Sequence, residues 1–285
     1  MLSPSRTGTH TPCATAVALL LCLLASSPAS ATSPAGSGAG AGPHATSESA
    51  VAPATDTAPM PGVVERVLRR PQESTLPSDF VPVSINISYP AFGLPAIDAD
   101  IVTWATGIAD AFENHFDSTV LAPAPMPELP DGDGGEMVLP AVPTLDLQGS
   151  YTVTRPSANA LSVTFELWNH TGPGTGNLDV ITLNYSTING QRLDLVDIFE
   201  LPERALILMS RHAREVLGRT LGGRRLTTGT EPLPENFASI TLTPTGVRIH
   251  FQPYQVAGWE MGAQQVDMPL EALAPAGPLL ILWGK

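Results

Sequence analysis

Cysteine is nearly missing. The only two, Cys13 and Cys22, lie close to the N-terminus. Residues 23–285 therefore hold no disulfide, no thiolate metal site and no cysteine nucleophile. Lysine is scarcer still: Lys285 is the only one, and the other 13 basic residues are arginines. Charged residues make up 14% of the chain against 43% hydrophobic ones, which excludes a highly charged disordered protein. Long apolar runs are also absent. The best, Ala14 to Ala25, is too short to cross a hydrocarbon core of about 30 Å, which excludes a polytopic membrane protein. Positive charge is in deficit, with Lys+Arg 14 against Asp+Glu 27 and a net charge of −13. A duplex nucleic-acid partner needs basic clusters and is excluded on that ground. A basic protein partner is electrostatically favoured. Recognisable catalytic signatures are lacking too. There is no Gly-x-Ser-x-Gly elbow, no His-Glu-x-x-His, no phosphate-binding Gly-x-x-x-x-Gly-Lys and no dinucleotide fingerprint. His44, His115, His170, His212 and His250 share no close metal-ligand spacing. Neither a cofactor nor an enzyme is expected.

What is present begins with an export signal over residues 1–31. A polar start with Arg6 is followed by the apolar run and then by Ala29-Ser30-Ala31, an Ala-x-Ala cleavage site. This predicts cleavage after Ala31 and a periplasmic or secreted bacterial protein. Leu21 stands where a lipoprotein signal would want a small residue, so lipidation at Cys22 is disfavoured. Residues 32–77 are rich in Ala, Ser, Thr, Gly and Pro and read as a disordered spacer, with only Val63 to Leu68 apolar.

The remaining chain alternates between two periodicities. Val81, Val83, Ile85, Ile87 and Tyr89 recur every second residue and predict a strand. Ile97, Ile101, Trp104, Ile108, Phe112 and Phe116 recur at three and four and predict a helix over 97–118. The opposite face of that helix, Asp98, Asp100, Asp110, Glu113 and Asp117, reads as solvated. In the Pro-rich segment 121–147, Asp131, Asp133 and Glu136 suit either a calcium ion or a plain acidic turn, at a spacing unlike an EF-hand loop. Strands are predicted at 150–155, 161–170 and 178–188, with a turn at Asn189-Gly190 and an extended segment from Arg192 to Phe199. Pro202 to Leu221 predicts a second helix, stopped by Gly222-Gly223. Its arginines and those just after it form the chain's one basic region. Strands follow at 240–243, 246–252 and 265–270, and an apolar tail, Pro278 to Trp283, is expected on the core. His250, out of phase with Val247, Ile249 and Phe251, is expected toward solvent or a rim. This order predicts an α+β fold: a largely antiparallel sheet with two main helices, in two small packed subdomains, 78–145 and 146–285.

The most distinctive stretch is Asn236-Phe237, then Phe251-Gln252-Pro253-Tyr254-Gln255-Val256-Ala257-Gly258-Trp259-Glu260-Met261-Gly262, then Val266 to Leu270. It resembles the C-terminal half of the extracytoplasmic domain of the anti-sigma factor RsiV, a module also appended to PdaC-type peptidoglycan deacetylases. The resemblance extends over about 80–275 and includes Leu193 to Phe199. It implies binding rather than catalysis, with lysozyme or peptidoglycan as partner. The deacetylase chemistry resides in a separate domain whose His and Asp motifs have no counterpart here. The 13 residues before the apolar run are too few for a sigma-binding domain. Gln252, Pro253, Tyr254, Trp259 and Glu260 become the candidate binding residues, with Trp259 as the exposed anchor, although Phe251, Pro253 and Tyr254 also suit a purely structural role. The competing expectation is an envelope hydrolase acting on carbohydrate or peptidoglycan through Asp194, Asp197 or Glu260. Residues three apart in an extended segment tend to face opposite sides, so Asp194 and Asp197 make a poor acid–base pair.

Overall fold

The structure is a computed structural model that describes residues 62–71, 83–117, 145–170 and 176–285. The export signal, most of the expected spacer, the Asp131/Asp133/Glu136 turn and the Gly172–Gly174 part of the Gly-rich turn lie outside these residues. Six strands form the larger sheet, in sequence order: β1 (Val64–Pro71), β2 (Val83–Ala91), β3 (Leu145–Ser157), β4 (Ala160–His170), β5 (Asn177–Ser186) and β6 (Arg192–Leu193). Helix α1 (Pro95–Asp117) lies between β2 and β3, and these two strands pair in parallel. All other neighbours in the sheet are antiparallel. A crossover helix is what a parallel pair requires. The subdomain boundary expected at 145/146 thus falls inside one sheet, and Gly62–Lys285 forms one compact unit.

The second sheet is an antiparallel meander of β7 (Ile240–Thr243), β8 (Gly246–Phe251) and β9 (Gln264–Pro269). Helix α2 is the single turn Leu195–Ile198, α3 is Pro202–Leu221 and α4 is Leu270–Leu273. Two expectations are corrected here. Val64–Pro71, within the segment expected as a spacer, pairs along its whole length with β2. Its apolar residues are few because it is a largely exposed edge strand, with Val64 59% and Val67 39% accessible. Arg192–Phe199, expected as one extended segment, pairs as a strand only at Arg192–Leu193 and is interrupted by the helical turn Leu195–Ile198. There the Asp197 carboxylate accepts the Asp194 N–H at 3.0 Å and closes the turn of α2.

The predicted stripe of α1 is its buried face: Ile97, Ile101, Trp104, Ile108 and Phe112 are all inaccessible or nearly so. Trp104 stacks on Phe165 of β4 with ring centroids 4.3 Å apart. The opposite face is less solvated than its composition predicts. Asp98 accepts the N–H groups of Phe92 and Gly93, Asp100 accepts the Tyr185 hydroxyl, and Asp110 and Glu113 both grip Arg70 of β1.

The other face of the large sheet meets β7 through a polar layer rather than an apolar one. Ser162 and Asn184 bond each other and also the backbone of Leu242 and Ile240. Thr164 joins Thr182 and Thr241. Strands β7, β8 and β9 turn their apolar sides to α3, where Val247, Ile249, Phe251, Met209, Ala213 and Leu217 build a second core. The tail closes this core as expected: Trp283 is buried and its Nε1–H donates to the Thr243 and Gly246 carbonyls.

Candidate functional site

Strand β8 ends at Phe251, which is fully buried and meets Phe237 edge to face at 5.9 Å. Gln252 then leaves the ladder and turns its side chain onto β5. Its Oε1 accepts the Val180 N–H at 2.7 Å and its Nε2 donates to the Val180 carbonyl at 2.6 Å. A side-chain amide therefore stands in for a strand neighbour along the edge of β5 not paired with β4. Pro253 is buried and has no N–H to continue the ladder. Both residues hold the loop rather than present it.

Tyr254 is the residue that the loop exposes. It is 63% accessible and has φ +68°, the only non-glycine positive φ among the described residues. That backbone region is disfavoured for a bulky side chain. It is enforced from both flanks. Gln255 N–H donates to the Gln252 carbonyl, and the Gln252 N–H donates to Gln255 Oε1. Gln255 Nε2 donates onward to the carbonyls of Gly229 and Asn236. Leu226 N–H donates to the Val256 carbonyl at 2.8 Å, and Val256 and Ala257 are buried. Gly229 leaves no room for a Cβ against Gln255. The ring thus stands on a base with few degrees of freedom.

Trp259, expected as the exposed anchor, is half-buried in the single turn Trp259–Met261, which ends at Gly262 with φ +65°. Glu260 is exposed, with its carboxylate folded back toward Gly258. The structure therefore divides the five candidates. Gln252 and Pro253 anchor the loop, Tyr254 and Glu260 face solvent, and Trp259 lies between.

One buried titratable group, Asp179, escaped the sequence analysis, and His250, expected toward solvent or a rim, is half-buried. Asp179 on β5 is 1% accessible, and its carboxylate accepts from Asn169 Nδ2 at 2.9 Å. Burial pushes its pKa up to about 6, against the opposing effect of that hydrogen bond. Its place in the alternation of Ile181, Leu183 and Tyr185 was the available signal. His250 does not reach solvent freely. It shares a hydrogen bond with Thr241 Oγ1 at 2.8 Å, and burial, helped by Arg248, lowers its pKa to about 4. Arg248 in turn forms a two-pronged pair with Asp267 across β8 and β9. Among the described residues, no three His, Asp or Glu side chains converge as a metal site, and no helix is long and apolar enough to cross a membrane.

Residues 211–271, from the second half of α3 through the Tyr254 loop to α4, match a family described as Protein of unknown function (DUF3298). No curated protein matches the chain. The fold is similar to that of a DUF3298 family protein from Pseudomonas aeruginosa at 12% identity and TM-score 0.51, covering 76% of this chain and 96% of that one. A member of the same family from Bacteroides fragilis is similar at 15% identity and TM-score 0.50, covering 77% and 96%.

Proposed function

We propose that this chain is an exported cell-envelope binding module of the RsiV type, recognising a lysozyme-like hydrolase or peptidoglycan through the Tyr254 loop. One observation carries the reading. The loop spends backbone strain and five glutamine side-chain hydrogen bonds on holding a tyrosine out into water. Strain of this kind persists only where the surroundings over-determine it, and an ordered exposed aromatic is a common binding anchor. The likeness of residues 236–270 to the RsiV module supports the same role. The alternative, a hydrolase using Asp194, Asp197 or Glu260, has less support. Asp197 is engaged in closing α2 on Asp194, and Glu260 lies in the other sheet's loop.

The test is calorimetry of the exported chain with lysozyme and with soluble peptidoglycan fragments, at low salt and at about 0.15 M, where screening acts over roughly 8 Å. A partner should stay bound at the higher salt, and Tyr254→Ala should weaken it by about 1–3 kcal/mol. Failure of both partners to bind, or indifference to Tyr254, would overturn the reading. Intact mass should show a chain beginning at Thr32. A form retaining Cys22 would count against export by cleavage.

A further inference from the structure

The chain carries 13 net negative charges, yet its arginines are not evenly spread. Of the 12 among the described residues, six lie between 204 and 225, against one carboxylate in that span, Glu215. Arg204, Ile207, Arg211 and Arg214 recur at spacings of three and four, so they follow one stripe of α3, and all four are exposed. Gly218 continues the stripe without a side chain. The guanidinium of Arg225 lies over that gap: a Cβ on Gly218 would stand 3.0 Å from its Nη1. The same Nη1 donates to the Arg214 carbonyl at 2.6 Å, while Arg214 Nε donates to Thr230 Oγ1. Two guanidinium groups are thus oriented by the fold rather than left loose. Glu215 sits at the edge of the stripe, 3.6 Å from Arg219.

The stripe leads to the Tyr254 loop. Arg225 precedes Leu226, whose N–H donates to the Val256 carbonyl, two residues beyond Tyr254. Leu226 and Tyr254 are both exposed, at 44% and 63%. Positive charge recurs at Arg204, Arg211 and the Arg225-covered Gly218, that is every seven residues or about 10 Å along the helix. That repeat is comparable to the length of a disaccharide. An arginine fork matches a carboxylate in two-pronged fashion, and a fixed tyrosine face suits the flat side of a sugar ring. A basic protein would meet this surface with charge of its own sign.

We propose that the arginine stripe of α3 and Tyr254 form one surface for a glycan strand that bears carboxylates at regular intervals. This rests on the reading of the Tyr254 loop as a binding surface and names its ligand class.

The experiment titrates the exported chain with peptidoglycan glycan strands freed of stem peptides, which keep a carboxylate on every second sugar. The controls are the same strands with those carboxylates amidated, poly-L-glutamate, single-stranded DNA and lysozyme. The native strands should bind, with affinity falling as salt rises. Amidation of the strands, or the double substitution Arg204→Gln and Arg211→Gln, should weaken binding at least tenfold and flatten the salt dependence. An unchanged unfolding transition would show that the doubly substituted chain is folded. Equal binding of amidated strands overturns the charge selection and leaves the binding reading intact. Preference for poly-L-glutamate, DNA or lysozyme, with loss in Tyr254→Ala, overturns the glycan but again keeps the binding loop. Binding of none of these overturns both.

Discussion

At the scale of single residues, the positive φ of Tyr254 separates stability from function. An asparagine tolerates that backbone far better than a tyrosine does. Tyr254→Asn should therefore raise stability by about 0.5–1 kcal/mol in chemical denaturation while weakening ligand binding. A loss of stability would mean that the ring packs on the loop and is not simply presented. Asp179 and the half-buried His250 act with opposite signs. Asp179 has its pKa raised from 3.8 to about 6, so the folded state binds more protons than the unfolded one in that window. Its contribution is favourable below pH 3.8 and is lost as pH rises through 6. Asp179→Asn keeps an acceptor for Asn169 and removes the titration. It should stabilise the fold at pH 7 by on the order of 2–3 kcal/mol and have little effect at pH 4. His250 has its pKa lowered from 6.5 to about 4, so stability is full above pH 6.5 and falls as pH drops toward 4. His250→Gln can keep a bond to Thr241 and should flatten that acid limb. Unfolding curves from pH 4 to 7.5 on both variants decide these signs. A parallel offset of Asp179→Asn at every pH would contradict the first.

At the scale of elements, periodicity made most of the fold legible. The stripes of α1 and α3, the alternation of β2 and β8, and the Asn189-Gly190 turn all report burial that neighbouring residues along the chain impose. What stayed hidden depends on contacts between distant segments. β1 has few apolar residues because it is an edge, so composition placed it with the spacer. Leu193 to Phe199 satisfies a strand-like apolar spacing, and the reciprocal Asp194–Asp197 cap with its backbone hydrogen bonds turns Leu195–Ile198 into a turn of helix. The candidate segment 252–260 could be marked in the sequence, but the division between residues that hold the loop and residues that face solvent could not. Gln252 meets Val180, 72 residues away in sequence, and no local pattern encodes that meeting. Its function at the edge of β5 is testable. Gln252→Ala strips the Val180 N–H of its partner and leaves the Val180 carbonyl to Ser239 alone. The expected cost is about 1–3 kcal/mol, read from denaturation midpoints. Gln252→Glu should also destabilise, because a carboxylate accepts the N–H but cannot donate to the carbonyl. Neutral behaviour of both variants would show that the edge is satisfied without Gln252.

At the scale of the molecule, two apolar cores are joined by a polar seam. One core lies between α1 and the large sheet, the other between α3 and the small sheet, with Ser162, Thr164, Thr182, Asn184 and Thr241 in the contact between the sheets. Such a seam binds by geometry more than by area, since each buried hydroxyl or amide must find its partner in one register. Integrity of the large sheet therefore matters to both halves, and its first strand becomes the informative place to cut. A chain beginning at Gly62 retains β1, with its eight paired residues on β2 and Arg70 gripping Asp110 and Glu113 of α1. A chain beginning at Gln72 loses all of these. Half-exposed ion pairs contribute about 0–1 kcal/mol, so Arg70→Ala in the longer chain should lower the thermal transition only slightly. Removal of the whole strand should do more, because the paired N–H and C=O groups of β2 are left bare at a new sheet edge. A loss of about 2 kcal/mol would lower the transition by roughly 4–8 °C in a domain of this size. The shorter chain should also associate at high concentration, which light scattering would detect. Equal transitions for the Gly62 and Gln72 chains would return residues 64–71 to the spacer and make β2 the native edge.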